Sequence, residues 1–182
     1  IEADLVDMLT LGSRTMEVDV AAFRKISEGK NVKLYPCFDD HHTTDGYKYP
    51  PVEFFRGLFG NWWQQGADGV MTFNWHCAPP EVAEQVGGYP GPACQQQAYH
   101  EVGDFEHMKG LDKIFAVERR GGYPWAETYF NQNLFSQLPA TLDNGGGVSD
   151  FTIRICDDLP EEQDRLRDVL LRVTLYGANK DD

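Results

Sequence analysis

The chain has 182 residues, 41% of them hydrophobic and 13% aromatic, enough to bury one substantial core and short for two independent domains. Sixteen Lys and Arg against 29 Asp and Glu leave a formal net charge of −13, a balance that repels a phosphate backbone and an anionic membrane surface and argues against nucleic acid and membrane as partners. No stretch approaches the roughly 18 uninterrupted apolar residues of a membrane span.

In chain order, Leu5 to Leu11 is a buried-strand run closed by Gly12. Glu17 to Glu28 reads as a helix, with Asp19 in an acidic first turn, Val20, Phe23 and Ile26 on one side, and Gly29 as its cap. Val32 to Phe38 is a second strand. Pro50-Pro51 then opens a helix whose Val52, Phe55, Leu58, Phe59 and Trp62 recur at three- and four-residue spacings up to Gly66. Asp68 to Trp75 is the third strand, followed by a proline-marked loop, a short helical turn over Glu81 to Val86, and a helix from Pro92 to Val102 ending at Gly103. Alternation of β and α runs predicts parallel strands joined by right-handed crossovers.

Past Gly110 the character changes. Lys113 to Val117, Asp150 to Ile155 and Val169 to Tyr176 are strand-like. They are separated by an aromatic loop, by Gly145-Gly146-Gly147 and by the charged Pro160 to Asp168 segment, which predicts a small antiparallel β module. The division is therefore 1–110 for the α/β part and 111–182 for linker and β module. Four cysteines, Cys37, Cys77, Cys94 and Cys156, form no CxxC pair, so neither a zinc ribbon nor a disulfide framework is indicated. Ile1 is no initiator and no targeting segment follows it, while Tyr176 to Asp182 ends on a turn after a strand; both ends read as those of a piece of a longer protein.

Two segments, Tyr35-Pro36-Cys37-Phe38-Asp39-Asp40-His41-His42 and Trp62-Trp63-Gln64-Gln65-Gly66-Ala67-Asp68-Gly69-Val70-Met71-Thr72-Phe73-Asn74-Trp75, resemble the closing strands of a glycoside-hydrolase-like (β/α)8 barrel of the family-10-like domain proteins. The resemblance covers about the first 110 residues. It implies that the three strands are the sixth, seventh and eighth of a partial barrel, and that a β-sandwich appendage follows. It also implies that the carboxyl acid/base usually found at the end of strand four lies outside this sequence. The carbohydrate reading carries with it an extracellular or periplasmic compartment.

Barrel enzymes place their chemistry at the C-terminal ends of the strands. On the second strand Val32, Leu34, Pro36 and Phe38 alternate with Lys33, Tyr35, Cys37 and Asp39, and the apolar set suits a helix-covered face. Asp39 at the strand end is the first candidate for a carboxylate that stabilises an oxocarbenium-like transition state, with Asp40 the alternative if the register slips by one; the competing reading is that the pair only turns the loop. Trp75 either offers a flat face to a sugar ring or packs into the core, and Asn74, His76, His41, His42, Asp45 and Tyr47 are placed around the same cleft. The histidines match no metal-ligand spacing, so no metal and no cofactor is assigned, although a metal-dependent hydrolase stays a competing reading. A non-catalytic carbohydrate-binding barrel is the other alternative. The expected partners are a carbohydrate and a second copy of the chain joined through exposed barrel edges.

Overall fold

A computed structural model describes residues 5–12, 16, 18–39, 50–73, 75, 92–117, 137–138, 140–141, 146–161, 163–173 and 175. Within them lie three strands, β1 (Met8–Leu11), β2 (Lys33–Asp39) and β3 (Met71–Phe73), and four helices, α1 (Val20–Ile26), α2 (Val52–Gln64), α3 (Pro92–Glu101) and α4 (Phe105–Met108). The strands form one all-parallel sheet in the order β1-β2-β3, with Leu9 beside Leu34, Cys37 beside Met71 and Asp39 beside Phe73.

β1 and β3 fall inside runs predicted from the sequence and β2 overlaps its run, extending one residue further to Asp39, because short β-rich segments bounded by glycine and proline have few other ways to satisfy their backbone. The helices follow local signals. Asp19 is the N-cap of α1 rather than part of its first turn, its Oδ1 accepting from the Ala22 N–H at 2.9 Å. Gly29 takes a φ of 75° in the turn that leads to β2, a conformation that costs glycine nothing. Val20 is fully buried as expected, but Phe23 and Ile26 are exposed. The three- and four-residue spacing in α1 therefore describes a face that only its N-terminal end buries.

The expected partial barrel is not what forms. The described strands make a small open sheet, and closing a (β/α)8 barrel requires eight tilted strands whose hydrogen bonds run around the full circle. Helix-side residues Leu11, Leu34 and Phe38 enter the core, whereas Met8, Met71 and Phe73 are exposed on or beside the sheet. The expected antiparallel β module is likewise absent among the described residues: 113–117, 150–155 and 169–173 belong to no strand. High β-propensity reflects how well a side chain fits a pleated, half-buried surface, and it does not supply a hydrogen-bonding neighbour. In place of a ladder, the Gln137 side-chain amide holds Thr152, accepting from its N–H at 2.7 Å and donating to its carbonyl at 2.8 Å. The Ile114 N–H donates to the Glu53 carbonyl at 2.9 Å and so lays residues 113–117 along the start of α2.

Helix α2 is the centre of the molecule. Val52, Phe54, Phe55, Leu58, Phe59 and Trp62 are buried, and so are Arg56, Gly57 and Gly60, so both faces of the helix are covered. Phe38 from β2, 1% exposed, packs edge-on against Phe55 at 5.4 Å between ring centroids and against Phe59 at 6.3 Å, with Phe54 tilted at 6.2 Å. On the opposite side the chain crosses α2 so closely that a Cβ on Gly57 would stand 2.3 Å from the Ile114 carbonyl oxygen. Phe38→Ala is expected to lower unfolding free energy by about 3–5 kcal/mol in urea melts. Gly57→Ala, which adds one methyl against backbone that cannot step aside, is expected to cost about 1–3 kcal/mol in the same measurement despite the better helix propensity of alanine.

Candidate functional site

In open parallel sheets, ligands bind beyond the carboxyl ends of the strands. Here that edge is built by the end of β2 at Asp39, its register neighbour Phe73 on β3, and Trp75 two residues further on. Trp75 is half-buried and its ring is set by three aromatic neighbours: Phe55 at 4.9 Å, Phe38 at 6.5 Å and edge-on, and Tyr99 of α3 at 5.1 Å. The T-shaped Trp75–Tyr99 arrangement is the geometry that aromatic quadrupoles favour.

Tyr99 was not a candidate from sequence, and it is the more accessible of the two rings at 54% exposed. Its hydroxyl lies 2.8 Å from Thr72 Oγ1 on β3, a hydrogen bond that fixes the ring's direction while leaving much of it open. The signal available in the sequence was an aromatic residue on an otherwise polar helix, Gln95-Gln96-Gln97-Ala98-Tyr99-His100-Glu101. What the sequence lacks is the rotation of that helix about its axis.

That rotation is set by an ion pair. Arg56, 8% exposed, donates through Nε to Glu101 Oε2 at 2.6 Å and through an Nη to Glu101 Oε1 at 3.1 Å, while its other Nη reaches the Asp112 carbonyl at 3.2 Å. The forked geometry suits a guanidinium and no other cation. Gln97 Nε2 adds a bond to Glu101 Oε1 at 3.0 Å, and the Trp63 indole N–H donates to the Val102 carbonyl at 2.8 Å. Together these fasten the end of α3 to α2 two residues past Tyr99. The hydrogen bond from Arg56 holds the Glu101 carboxyl below its ordinary value despite burial, and the same bond raises the Arg56 guanidinium.

At the other end of the sheet Asp68 ties α1 to β2 and β3. It accepts from the Leu34 N–H at 2.9 Å, pairs with Lys33 at 3.1 Å and with Arg24, whose guanidinium also reaches the Gly66 carbonyl. Burial pushes the Asp68 carboxyl up, but the bonds from Arg24, Leu34 and Lys33 outweigh it and the net shift is downward.

Of the residues singled out from sequence, Trp75 is placed at the sheet edge with its ring contacts, and Asp39 is placed by its backbone in β2. Asp40, His41, His42, Asp45, Tyr47, Asn74 and His76 lie outside the described residues. The described residues hold no group of three His, Cys, Asp or Glu able to bind a metal, and no described helix is long and apolar enough to cross a membrane. Cys37, Cys94 and Cys156 are buried, and the Cys94 thiol donates to the Pro50 carbonyl at 3.4 Å. A separate cleft of about 680 Å³ runs between α4 and residues 155–161 and is lined by Glu106, Lys109, Asp157, Asp158 and Glu161 among others; it shares no residue with the sheet edge. The chain matches no family model and no curated protein.

The ion pair makes a pH prediction. Carboxyls whose folded pKa lies below the unfolded value add stability above the unfolded value, about 4, and lose it as pH falls through that value toward the folded pKa. Glu101 and Asp68 are both of this kind. The urea midpoint is therefore expected to fall between about pH 5 and pH 3, and less steeply in Glu101→Gln. Arg56→Leu, which leaves Glu101 charged and uncompensated, is expected to destabilise by about 3 kcal/mol at pH 7, with Arg56→Leu/Glu101→Leu recovering part of the loss.

Proposed function

We propose that this chain belongs to a glycoside-cleaving protein and contributes to it a sugar platform, Trp75 with Tyr99, together with one strand-end carboxylate, Asp39 or its neighbour Asp40. The observation that carries the proposal is the register of β2 and β3: residue 39 pairs with Phe73, so an acidic position and the Trp75–Tyr99 pair occupy the same edge of the sheet. Sugar C–H faces pack on aromatic rings, and an adjacent anion stabilises positive charge developing at an anomeric carbon. Tyr99, exposed and held by Thr72, supports an aromatic surface ready for a flat, partly apolar ring.

Glycoside cleavage needs a second carboxyl that is protonated near neutral pH. The two described carboxyls with shifted pKa, Glu101 and Asp68, are shifted the opposite way and are committed to Arg56 and to Arg24 and Lys33. Neither of these two carboxyls is therefore the general acid, and the non-catalytic binding reading is favoured for this chain on its own.

The test separates binding from turnover. Tryptophan fluorescence titrated with a panel of oligosaccharides is expected to report binding that Tyr99→Ala weakens about tenfold without changing the circular dichroism spectrum. Aryl glycosides are expected to remain uncleaved by the chain alone. If no sugar perturbs the fluorescence, or if Tyr99→Ala binds as well as the parent, the carbohydrate reading fails; turnover abolished by Asp39→Asn would instead establish that this chain carries a complete catalytic pair.

A further inference from the structure

The segment from Arg167 to Val173, Arg167-Asp168-Val169-Leu170-Leu171-Arg172-Val173, has the composition of a strand and the environment of none. It belongs to no helix or strand and makes no backbone hydrogen bond to another described residue. Val169, Leu170, Leu171 and Val173 are all exposed, Leu170 and Leu171 at 89% and 77%. A soluble surface rarely leaves so many consecutive apolar side chains in water without an interaction to cover them. As a strand, alternation would give it one side carrying Val169, Leu171 and Val173 and another carrying Asp168, Leu170 and Arg172.

We propose that this segment pairs with the same segment of a second copy, as an antiparallel two-stranded ribbon centred on Leu170. The charges select both partner and register. In a two-fold antiparallel pair the residues facing one another have numbers with a constant, even sum, because the axis stands perpendicular to the ribbon and preserves which side each residue occupies. Centred on Leu170, Asp168 of each copy faces Arg172 of the other, Val169 faces Leu171, and Arg167 faces Val173. Moving the centre to residue 168 sets Asp168 opposite itself, and moving it to residue 172 sets Arg172 opposite itself. Centres at 169 and 171 leave Asp168 and Arg172 both without an opposite charge. Like charges directly opposite destabilise a sheet and unlike charges stabilise it, so the sequence carries one self-complementary register with two ion pairs, a property that pairing with an unrelated strand would not require.

Seven residues on each side make a small interface, so the association is weak and concentration-dependent. Sedimentation equilibrium of the full chain is expected to give 20.6 kDa at low micromolar concentration and to move toward twice that mass at several hundred micromolar. Asp168→Arg and Arg172→Asp are each expected to weaken dimerisation roughly tenfold or more, and the double exchange to restore it, since the pairs are then only reversed. The register is read separately by cross-linking in a Cys77→Ser background. Leu170→Cys sits opposite its own counterpart and is expected to form a disulfide-linked dimer at least about tenfold faster than Arg167→Cys or Val173→Cys, whose counterparts lie several residues away. A monomer at every concentration, a dimer indifferent to both charge reversals, or equal cross-linking at the three positions would each overturn the proposal.

Discussion

Everything in this fold is arranged around a helix that has no free side. Helix α2 meets the sheet through Phe38, Phe55 and Phe59, meets α3 through Arg56, and is crossed by residues 113–117 at Gly57. A helix covered along most of its length has little polar face to offer water, so its buried charged residue, Arg56, has to be matched and its small residues have to mark where other backbone passes. Arg56 and Gly57, adjacent in sequence, do these two things. The aromatic rings fill the remaining volume at contact distances typical of close-packed cores.

The candidate site is a by-product of that packing. The rings that hold β2 against α2 continue through Phe55 and Phe38 to Trp75, and from Trp75 to Tyr99, so the aromatic column that is core at one end is half in solvent at the other. The orientation of Tyr99 is therefore inherited from the fold, fixed by Thr72 and by the clamp of α3 on α2. The two ends of the sheet differ in electrostatics. Asp68 is paired with Arg24 and Lys33 near the start of β3, at the end of the sheet away from the position 39–Phe73 register pair.

The opposite side of the sheet and the C-terminal third share one physical condition. Met8, Met71 and Phe73 near the sheet, and Val169 to Val173 beyond it, are apolar and exposed. Strand-like composition in both regions calls for neighbours that the described residues do not supply. Parallel strands are normally covered on both faces, which makes the open side of this three-stranded sheet an unusual exposure for a parallel arrangement.

Three strands and three of the four helices were legible in the chain because their signals are local: runs of β-branched and apolar residues, prolines at helix starts, glycines and Asp19 at helix ends. The parallel order followed from alternation alone. Beyond that, sequence periodicity misjudged which positions are buried. It placed Phe23 and Ile26 inside, where they are exposed, and had no reason to bury Arg56 or Gly60, because burial is decided by what packs against a helix and not by the spacing along it. Resemblance to barrel strands carried an expectation of closure that an open three-stranded sheet does not meet, since closure is a property of eight strands together. Trp75 was singled out as a candidate from its place after a strand, whereas its ring contact with Tyr99 became visible only when the Arg56–Glu101 pair fixed the rotation of α3. Local chemistry thus determined where the elements are, and long-range contacts between them decided which side chains face water, where any binding must take place.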